Sequence, residues 1–437
     1  MLSFSGIGHL HPLMSLSREL VCRGHQVTFF DRPKAEARVR EAGFAFVPIG
    51  AETASVKTPV GPHAVWREVS AIRASIARMR REIERLFEET PAAVSKAGVD
   101  VLLIDEIVLT GPTVAQVLQL PYIVVSTSVP HRFGWRCSFW FSGYRYSASW
   151  LSWLQSLLLE SSVTRMRGPV RRAVDAYRRR GCLGSSRTIW REFPCLAQIG
   201  QMPGWLDLPR RRMPSDFHYA GPFLWRAERP HVDFPWHRLD GKPVVYASLG
   251  TTRNVQNAIL QMIAEACRDL DLQLVISLGD RFESAALRGL PGRPIVTKFA
   301  PQLDLVKVAR MIITHGGSNT VFEALMEGKP LIVIPMAYDQ PAMAARLARL
   351  HVAEVLPVMR LSPRHIRAAV IKILNDPNYH DAARKIQVAM QSIRGEVIAA
   401  DLIEKALEQQ NAGRETVMER DGARSKIQSG PECAGLT

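Results

Sequence analysis

Short apolar runs alternate with longer amphipathic stretches along both halves of the chain. In the first half, VTFF (27–30), VDVLLID (99–105) and YIVVSTS (122–128) are rich in β-branched residues. Between Gly8 and Gly24, leucines instead recur at helical spacing. Strand patterns that alternate with helical patterns are typical of parallel sheets joined by crossover helices. The pattern therefore predicts an α/β fold.

The same alternation resumes in the second half, after a passage rich in proline and tryptophan (221–243). Strands are predicted at PVVYASLG, LQLVISLG, PIVTKFAP, RMIITHGG and LIVIP, and helices continue to about Gln410. We expect two Rossmann-like domains, at 1–225 and 243–410, joined by a linker at 226–242. The polar segment 411–437 lacks apolar periodicity, which predicts a disordered tail.

Composition excludes several classes of protein but does not identify the partner. Hydrophobic residues make up 47% of the 437 residues and charged residues 22%, which excludes wholesale disorder and collagen-like or coiled-coil architecture. The net charge of +15 favours an anionic partner: nucleic acid, anionic lipid or a phosphorylated small molecule. The six cysteines are far apart, and we find neither a leader pattern nor an apolar stretch of about 18 residues. We therefore expect a cytoplasmic protein.

The densest group of chemically useful residues is ITHGGSNTVFEALMEGKPLIVIPMAYDQP (313–341). A strand ends at His315, two glycines turn the chain, and Ser318, Asn319 and Thr320 open an amphipathic helix. Backbone N–H groups in the first turn of a helix attract phosphate, and these side chains would add donors. An ordinary N-terminal cap explains one such residue but not the whole group. We predict a phosphate site here.

Two further features extend this site. Glu323 lies one turn further along the helix, where its carboxylate could accept hydrogen bonds from two ribose hydroxyls. Ser248, Gly250 and Thr251 of SLGTT follow the first strand of the second half, at the edge where open α/β sheets bind ligands. The SLGTT motif is weak evidence when taken alone.

A second candidate centre lies in the first half. The turn SGIGHLHP (5–12) places His9 at the start of a helix, whose dipole disfavours an imidazolium, so we expect a neutral His9 that acts as a base. Asp105 ends the strand VLLID on the same edge of the sheet and could orient the imidazole. An isolated histidine would more often be a plain surface residue. Asp105 is what favours a catalytic pair.

Two other segments leave alternatives open. Residues 133–159 are dense in aromatic side chains, and seven arginines follow within 165–180. Either the aromatic residues are core and the arginines a solvated face, or the segment lines a pocket for a large apolar acceptor and rests on anionic lipid. No aromatic RNA-binding signature accompanies the basic run, so specific nucleic-acid binding is not expected. Asp269 and Asp271 have the spacing of a metal-binding pair but lie at the amino edge, so we expect no metal at the site.

Together these motifs resemble the nucleotide-sugar glycosyltransferases of the GT-B fold, the UDP-glycosyltransferase superfamily. The bacterial branch acting on macrolides, carotenoids and other lipophilic acceptors looks most similar. The likeness runs from GHLHP through SLGTT and FAPQ to DQP. It implies an inverting, metal-independent hexosyltransferase with two Rossmann-like domains facing across a cleft. It also implies a UDP-sugar cosubstrate, no other cofactor, and a hydroxylated carotenoid, polyketide or sterol as acceptor.

The resemblance also implies roles for individual residues. His9 would deprotonate the acceptor hydroxyl and Asp105 would hold and balance its charge. The implied donor residues are Phe299 and Gln302 at the base and ribose, His315, Gly317, Asn319 and Thr320 at the diphosphate, Glu323 at the ribose, and Asp339 with Gln340 at the sugar hydroxyls. Many relatives carry Trp where Phe299 stands, so uridine and thymidine both stay open as the base.

Two other functions remain as alternatives. An epimerase or hydrolase of the same fold would need catalytic carboxylates and no aromatic acceptor pocket. A non-catalytic helper of a partner glycosyltransferase would have no need for His9, Asp105 and Glu323. For the transferase, we expect a cytoplasmic enzyme that docks at the inner membrane surface if the lipid interpretation of 133–180 holds.

Overall fold

The computed structural model describes residues 1–50, 65–130, 165, 168–184, 195–209, 213–224, 231–250, 256–279 and 289–428. Within these ranges the chain forms two parallel β-sheets with helices packed around them. The α/β class predicted from the apolar runs is therefore confirmed. Within the same ranges, no helix combines the length and the hydropathy that a membrane crossing requires.

The first sheet contains the strands of the N-terminal half. They are β1 (Thr28–Asp31), β2 (Ala45–Pro48), β3 (Leu102–Asp105), β4 (Tyr122–Ser126), β5 (Gln198–Gly200) and β6 (Phe217–Tyr219). β1 pairs with β2, and β3 to β6 pair in sequence order, all in parallel. Leu2 joins the two groups, because it bridges Phe30 on one side and Ile104 on the other. The expected first strand MLSFS is thus reduced to these bridges at the middle of the sheet.

Helices of the N-terminal half follow the strands. They are α1 (Ile7–Cys22), α2 (Glu36–Glu41), α3 (Val65–Ala97), α4 (Gly111–Val117) and α5 (Gly168–Arg180). The basic run on α5 is only partly a solvated face. Arg178 is buried and donates to Gln116 Oε1 at 2.7 Å and to the Gly184 carbonyl oxygen at 2.8 Å. Arg171, Arg172, Arg179 and Arg180 are exposed.

The second sheet contains the strands of the C-terminal half, in the order β12-β11-β10-β7-β8-β9. Its strands are β7 (Val244–Ser248), β8 (Gln273–Ser277), β9 (Ile295–Thr297), β10 (Ala309–Thr314), β11 (Leu331–Val333) and β12 (Ala353–Val355). β7 and β10 are neighbours, and the chain winds outward from them in opposite directions. Such a switch point opens a crevice at the carboxyl ends of the strands. Ser248 and Thr314 end these two strands opposite each other.

Helices of the C-terminal half complete the fold. They are α6 (Gln256–Cys267), α7 (Gln302–Val308), α8 (Ser318–Met326), α9 (Gln340–Arg349), α10 (Pro363–Asn375), α11 (Pro377–Gln391) and α12 (Gly395–Gln428). Two apolar clusters cover the faces of this sheet, one around Tyr246 and Phe322 and one around Ile276 and Ile313. Burial on both faces explains why these strands are continuous apolar runs.

The last helix departs from the domain division expected from the sequence, in which residues up to 410 belong with the C-terminal half. Ala399, Ala400 and Ile403 of α12 are buried with Leu13 of α1, so this helix packs on the N-terminal half. Arg23 strengthens the contact through Asp401 at 2.6 Å. The helix also continues beyond 410, where a disordered tail is predicted to begin, and it ends at Gln428.

Candidate active site

His9 and Asp105, predicted as a pair, are in direct contact. His9 lies in the first turn of α1, and its Nδ1 is 2.9 Å from Oδ2 of Asp105 at the end of β3. Asp105 is completely buried, whereas 21% of the His9 side chain is exposed. The Thr127 hydroxyl lies 2.6 Å from the same Nδ1. Because a carboxylate only accepts hydrogen bonds, Nδ1 carries the proton and Nε2 presents a lone pair.

The environment of His9 corrects one expectation. The helix dipole predicts a disfavoured imidazolium, but the pKa of His9 is raised above its usual value. Burial lowers this pKa, and the charge and hydrogen bond of Asp105 outweigh it, with smaller contributions from Asp339 and Asp31. His9 is therefore a stronger base than an ordinary histidine, and the cause is the buried carboxylate.

His315 lies in the C-terminal half, after β10 and before α8. Burial lowers the pKa of His315 to about 4, although Asp339 and a hydrogen bond with the Ser248 backbone act in the other direction. The ring is therefore neutral near pH 7 and carries a single N–H, which the Ser248 backbone accepts. A hydrogen bond from His315 to a phosphate would need a proton on the second ring nitrogen, which the charge of a bound diphosphate favours.

Two of the predicted glycines make room for this ring. A Cβ at Gly250 would lie 2.8 Å from His315 Cε1, and a Cβ at Gly317 would lie 2.6 Å from its Nε2. Gly250 also has φ of +78°, a conformation that side chains disfavour. A side chain at either glycine would collide with the imidazole of His315. The need for glycine here therefore comes from this ring rather than from the approach of a phosphate to the backbone.

The first turn of α8 is not occupied by a capping side chain. Gly317 is the N-cap and makes no side-chain hydrogen bond to the helix. Ser318 Oγ is buried and has no hydrogen-bond partner among the residues that the structure describes. The capping alternative fails here, because Ser318 follows the cap and bonds nothing. Unsatisfied donors at a helix N-terminus are what an anion site needs.

The residues predicted at the ribose lie together behind this turn. Gln302, the first residue of α7, donates to Glu323 Oε2 at 2.5 Å and to Thr320 Oγ1 at 3.4 Å. Tyr246 donates its hydroxyl to Gln302 Oε1 at 3.2 Å. Glu323 is buried on α8, so its carboxylate is held in one position. Phe299 is 41% exposed, and Lys298 Nζ lies 5.6 Å from its ring centre.

Asp339 and Gln340, at the start of α9, are held by different contacts. Gln340 Oε1 accepts from the backbone N–H groups of Met336 and Ala337, both at 2.9 Å, so its oxygen orders the preceding loop. Asp339 Oδ2 accepts from the Val129 N–H at 3.4 Å, across from the N-terminal half. Asp339 therefore stands between the two halves of the molecule.

A second contact brings the two helix N-termini together. Asn319 in the first turn of α8 donates from Nδ2 to the Gly8 carbonyl oxygen at 3.4 Å, next to His9. Neither α1 nor α8 has a side-chain cap. The cleft thus places the His9–Asp105 pair opposite the uncapped N-terminus of α8. The described residues contain no cluster of three or more His, Cys, Asp or Glu that could hold a metal ion.

Some predicted features lie outside the described residues, and some contacts were missed. Thr251 and the aromatic segment 133–159 belong to the first group. Thr127 was missed because Ser126, Thr127 and Ser128 are three consecutive hydroxyl residues near the end of a strand, and the sequence does not show which of them faces His9. Its place beside β3 was the available signal, since β4 pairs with β3 up to Asp105. Gln201, which donates to the Thr127 carbonyl oxygen, carries no sequence signal.

Comparisons with known families cover both halves. The profile described as UDP-glucoronosyl and UDP-glucosyl transferase matches residues 205–391. The profile of the glycosyltransferase family 28 N-terminal domain matches residues 5–130. The first contains the α8 and α9 sites, and the second contains the His9–Asp105 pair.

Curated relatives match nearly the full chain. The zeaxanthin glucosyltransferase of Pseudescherichia vulneris is 29% identical over 413 residues, covering 94% of this chain and 97% of the relative. That of Pantoea ananas is 26% identical over 412 residues, covering 91% and 93%. The 4'-demethylrebeccamycin synthase of Lentzea aerocolonigenes is 28% identical over 423 residues, covering 91% and 97%.

Solved structures show the same fold. The glycotransferase of kitacinnamycin superposes with a TM-score of 0.71 at 24% identity and covers 93% of this chain and 98% of its own. The calicheamicin glycosyltransferase CalG4 gives 0.69 at 22% identity, with the same coverage. The fold expected from the sequence is therefore confirmed as GT-B. The profiles on both halves and the relatives over nearly the full chain agree with the cleft geometry, and the chain is similar to the nucleotide-sugar glycosyltransferases of the UDP-glycosyltransferase family.

Proposed function

We propose that this enzyme transfers a hexose from a UDP-sugar to a hydroxyl group of a lipophilic acceptor, with inversion at the anomeric carbon. The observation that carries the proposal is the contact of Asn319 with Gly8 at 3.4 Å, which sets the His9–Asp105 pair opposite the open N-terminus of α8. One side of this cleft suits proton removal, and the other suits a leaving diphosphate.

On the acceptor side, His9 Nε2 removes the proton of the hydroxyl as its oxygen attacks the anomeric carbon. Asp105 holds the proton on Nδ1 and stabilises the imidazolium that forms. The bond from the acceptor oxygen to the anomeric carbon forms while the bond from that carbon to the diphosphate oxygen breaks. Attack from the side opposite the leaving group inverts the configuration.

On the donor side, negative charge grows on the diphosphate as that bond breaks. The first-turn N–H groups of α8, the unsatisfied Ser318 hydroxyl and the adjacent His315 ring support a site that stabilises this charge. Glu323 and Gln302 would hold the ribose, and Phe299 would stack on the base. Asp339, placed at the meeting of the two halves, would accept from the sugar hydroxyls together with Gln340.

For the acceptor, the curated relatives favour a carotenoid over a water-soluble phenol, because two of them are zeaxanthin glucosyltransferases. A lactenocin-related mycarosyltransferase keeps a polyketide-type acceptor as the second choice. A peripheral site on anionic membranes is part of the same proposal. The exposed arginines 171, 172, 179 and 180 of α5 follow the aromatic segment 133–159 and would face lipid phosphates.

Two experiments test the proposal. Thermal unfolding is followed with UDP- and TDP-glucose, galactose and rhamnose, and transfer is then measured to zeaxanthin and to a simple phenol. We expect stabilisation by a UDP-sugar and transfer to zeaxanthin, and a shift for no nucleotide sugar would contradict the donor site. Co-sedimentation with anionic vesicles at low and high salt tests the membrane part, which fails if low salt gives no binding.

A further inference from the structure

A short segment of the N-terminal half packs against the C-terminal half. Residues 201–207 follow β5, and Met202 and Leu206 of this segment lie in the same apolar cluster as Met343 and Leu347 of α9. Both Met202 and Leu206 are at most 1% exposed. Protein cores are close-packed and transmit displacement, so α9 determines where this segment lies.

A buried ion pair fixes the far end of the segment. Arg346 of α9 and Asp207 are each 2% exposed, and Arg346 Nη2 and Nε lie 2.5 Å and 3.0 Å from Asp207 Oδ1. Tyr219 donates its hydroxyl to Asp207 Oδ2 at 2.5 Å. Arg349 donates to the carbonyl oxygens of Trp205 and Asp207. These charge-assisted hydrogen bonds hold the carboxylate of Asp207 in a single position relative to α9.

The near end of the segment supports the catalytic base. Gln201 Nε2 donates to the backbone carbonyl oxygen of Thr127, and the Gln201 N–H donates to the Ser126 carbonyl oxygen at 3.0 Å. The hydroxyl of Thr127 lies 2.6 Å from Nδ1 of His9. A displacement of Gln201 would therefore move Thr127 and change the bond that Thr127 makes with the imidazole.

Helix α9 contacts the N-terminal half at both ends. At its start, Asp339 accepts from the N–H of Val129, two residues from Thr127. Towards its end, Arg346 holds Asp207. Gln201 joins the two contacted segments, 127–129 and 201–207. Together these contacts link the proposed sugar site to the proposed base.

We infer that segment 201–207 is a positioning element that fixes Thr127, and through it His9, relative to the donor side by means of the Asp207–Arg346 pair. Gln201, Asp207 and Arg346 are positioning residues that act through Thr127. The catalytic consequence rests on the proposed transferase function, whereas the structural link does not. The competing explanation is that the pair stabilises the fold and leaves the base unaffected.

Three variants separate these explanations. Asp207→Leu with Arg346→Met removes both charges together, because replacing a buried pair by apolar side chains of similar size is often neutral for stability, whereas one partner left alone is costly. Gln201→Met removes the amide donor to Thr127 and leaves the ion pair intact. Arg178→Met is the matched control, since Arg178 is another buried arginine and bonds Gln116 and Gly184.

Hydrogen exchange tests the structural link without any assay of activity. In the paired Asp207→Leu, Arg346→Met variant, we expect the amides of Val129 and Gln201 to exchange at least about tenfold faster than in the parent. Arg178→Met should leave both amides within about twofold of the parent. Unchanged exchange at both amides in the folded paired variant would overturn the link.

Kinetics with UDP-glucose and zeaxanthin test the catalytic consequence. We expect kcat to fall by at least about tenfold in the paired variant and in Gln201→Met, with the Kd of UDP changed by less than about twofold. Combining all three substitutions should lower kcat little further than the paired variant does, because the effects of substitutions in coupled residues are not additive. A kcat within about twofold of the parent, or fully multiplicative losses, would overturn the inference. A parent enzyme that transfers nothing would instead refute the proposed function, and the exchange result would still stand.

Discussion

The pKa values of the two histidines of the cleft are shifted in opposite directions. His9 lies in the first turn of α1, and His315 lies between β10 and the start of α8, so each is next to an uncapped helix N-terminus. The pKa of His9 is raised, because Asp105 outweighs burial. The pKa of His315 falls to about 4, because burial outweighs Asp339 and the Ser248 backbone.

The difference lies in what faces each imidazole. Asp105 brings a full negative charge to 2.9 Å from His9 Nδ1, whereas His315 is enclosed by glycines and has a backbone hydrogen bond in place of a carboxylate. A base requires a strong proton acceptor, which His9 is, whereas His315 stays uncharged near pH 7 in the absence of a bound anion. One arrangement of strand, turn and helix thus supports two chemistries through a single neighbouring charge.

The largest expected effect is the loss of transfer in His9→Ala. Removing a general base costs about 10²–10⁴-fold in kcat, and the Kd of UDP should stay within about twofold because His9 acts on the acceptor. Steady-state transfer and calorimetric titration of UDP measure the two quantities. Near-normal turnover in this variant would show that His9 is not the base.

Asp105→Asn should have the next largest effect and reduce kcat less completely than His9→Ala, because a misoriented imidazole keeps part of its basicity. Its pH profile distinguishes it from a structural defect. A base works only when deprotonated, so the raised pKa of His9 places the acid limb of kcat/KM above pH 6.5 in the parent. Loss of the Asp105 charge lowers that pKa, and the acid limb should move to lower pH. An unmoved limb would show that Asp105 is not what raises the pKa.

On the donor side, His315→Ala and Glu323→Ala should each weaken the binding of UDP by about 1–3 kcal/mol, the usual cost of a lost hydrogen bond to a charged group. The expected pattern is the reverse of His9→Ala, since affinity changes more than the chemical step. Titration of UDP into each variant decides this. Parent-like affinity in both variants would refute the diphosphate and ribose assignments together.

The smallest effect concerns stability. A histidine whose folded pKa is depressed binds its proton first in the unfolded chain, so its presence lowers the free energy of unfolding as pH falls below 6.5. With a folded pKa of about 4, His315 should cost about 1 kcal/mol between pH 7.5 and 5.5. His315→Asn should remove that loss, as measured by urea unfolding at both pH values. His9, with its raised pKa, acts in the opposite direction in both proteins and cancels in the comparison. Equal pH dependence of the two proteins would contradict the burial of a neutral His315.

Much of this arrangement follows from sequence, because parallel strands bring their carboxyl ends to one edge. That rule alone predicts the contact of His9 with Asp105 across a sequence separation of 96 residues. The direction of the His9 pKa shift does not follow from it, since the dipole is visible in sequence and the depth of Asp105 is not. The roles of Gly250 and Gly317 depend on where one imidazole lies. The packing of α12 on α1 and the Gln201–Thr127 bond are long-range contacts without a local pattern.

One measurement tests the division of work between the two histidines most directly. The imidazole signals of His9 and His315 are followed by NMR from pH 4 to pH 9, with and without UDP. We predict that His9 titrates above 6.5 and that His315 begins to titrate only near the acid end of the range, as its pKa of about 4 requires. UDP should shift the His315 signals and leave the pKa of His9 nearly unchanged. An ordinary titration of His315 near pH 6.5, or a UDP response confined to His9, would contradict the account.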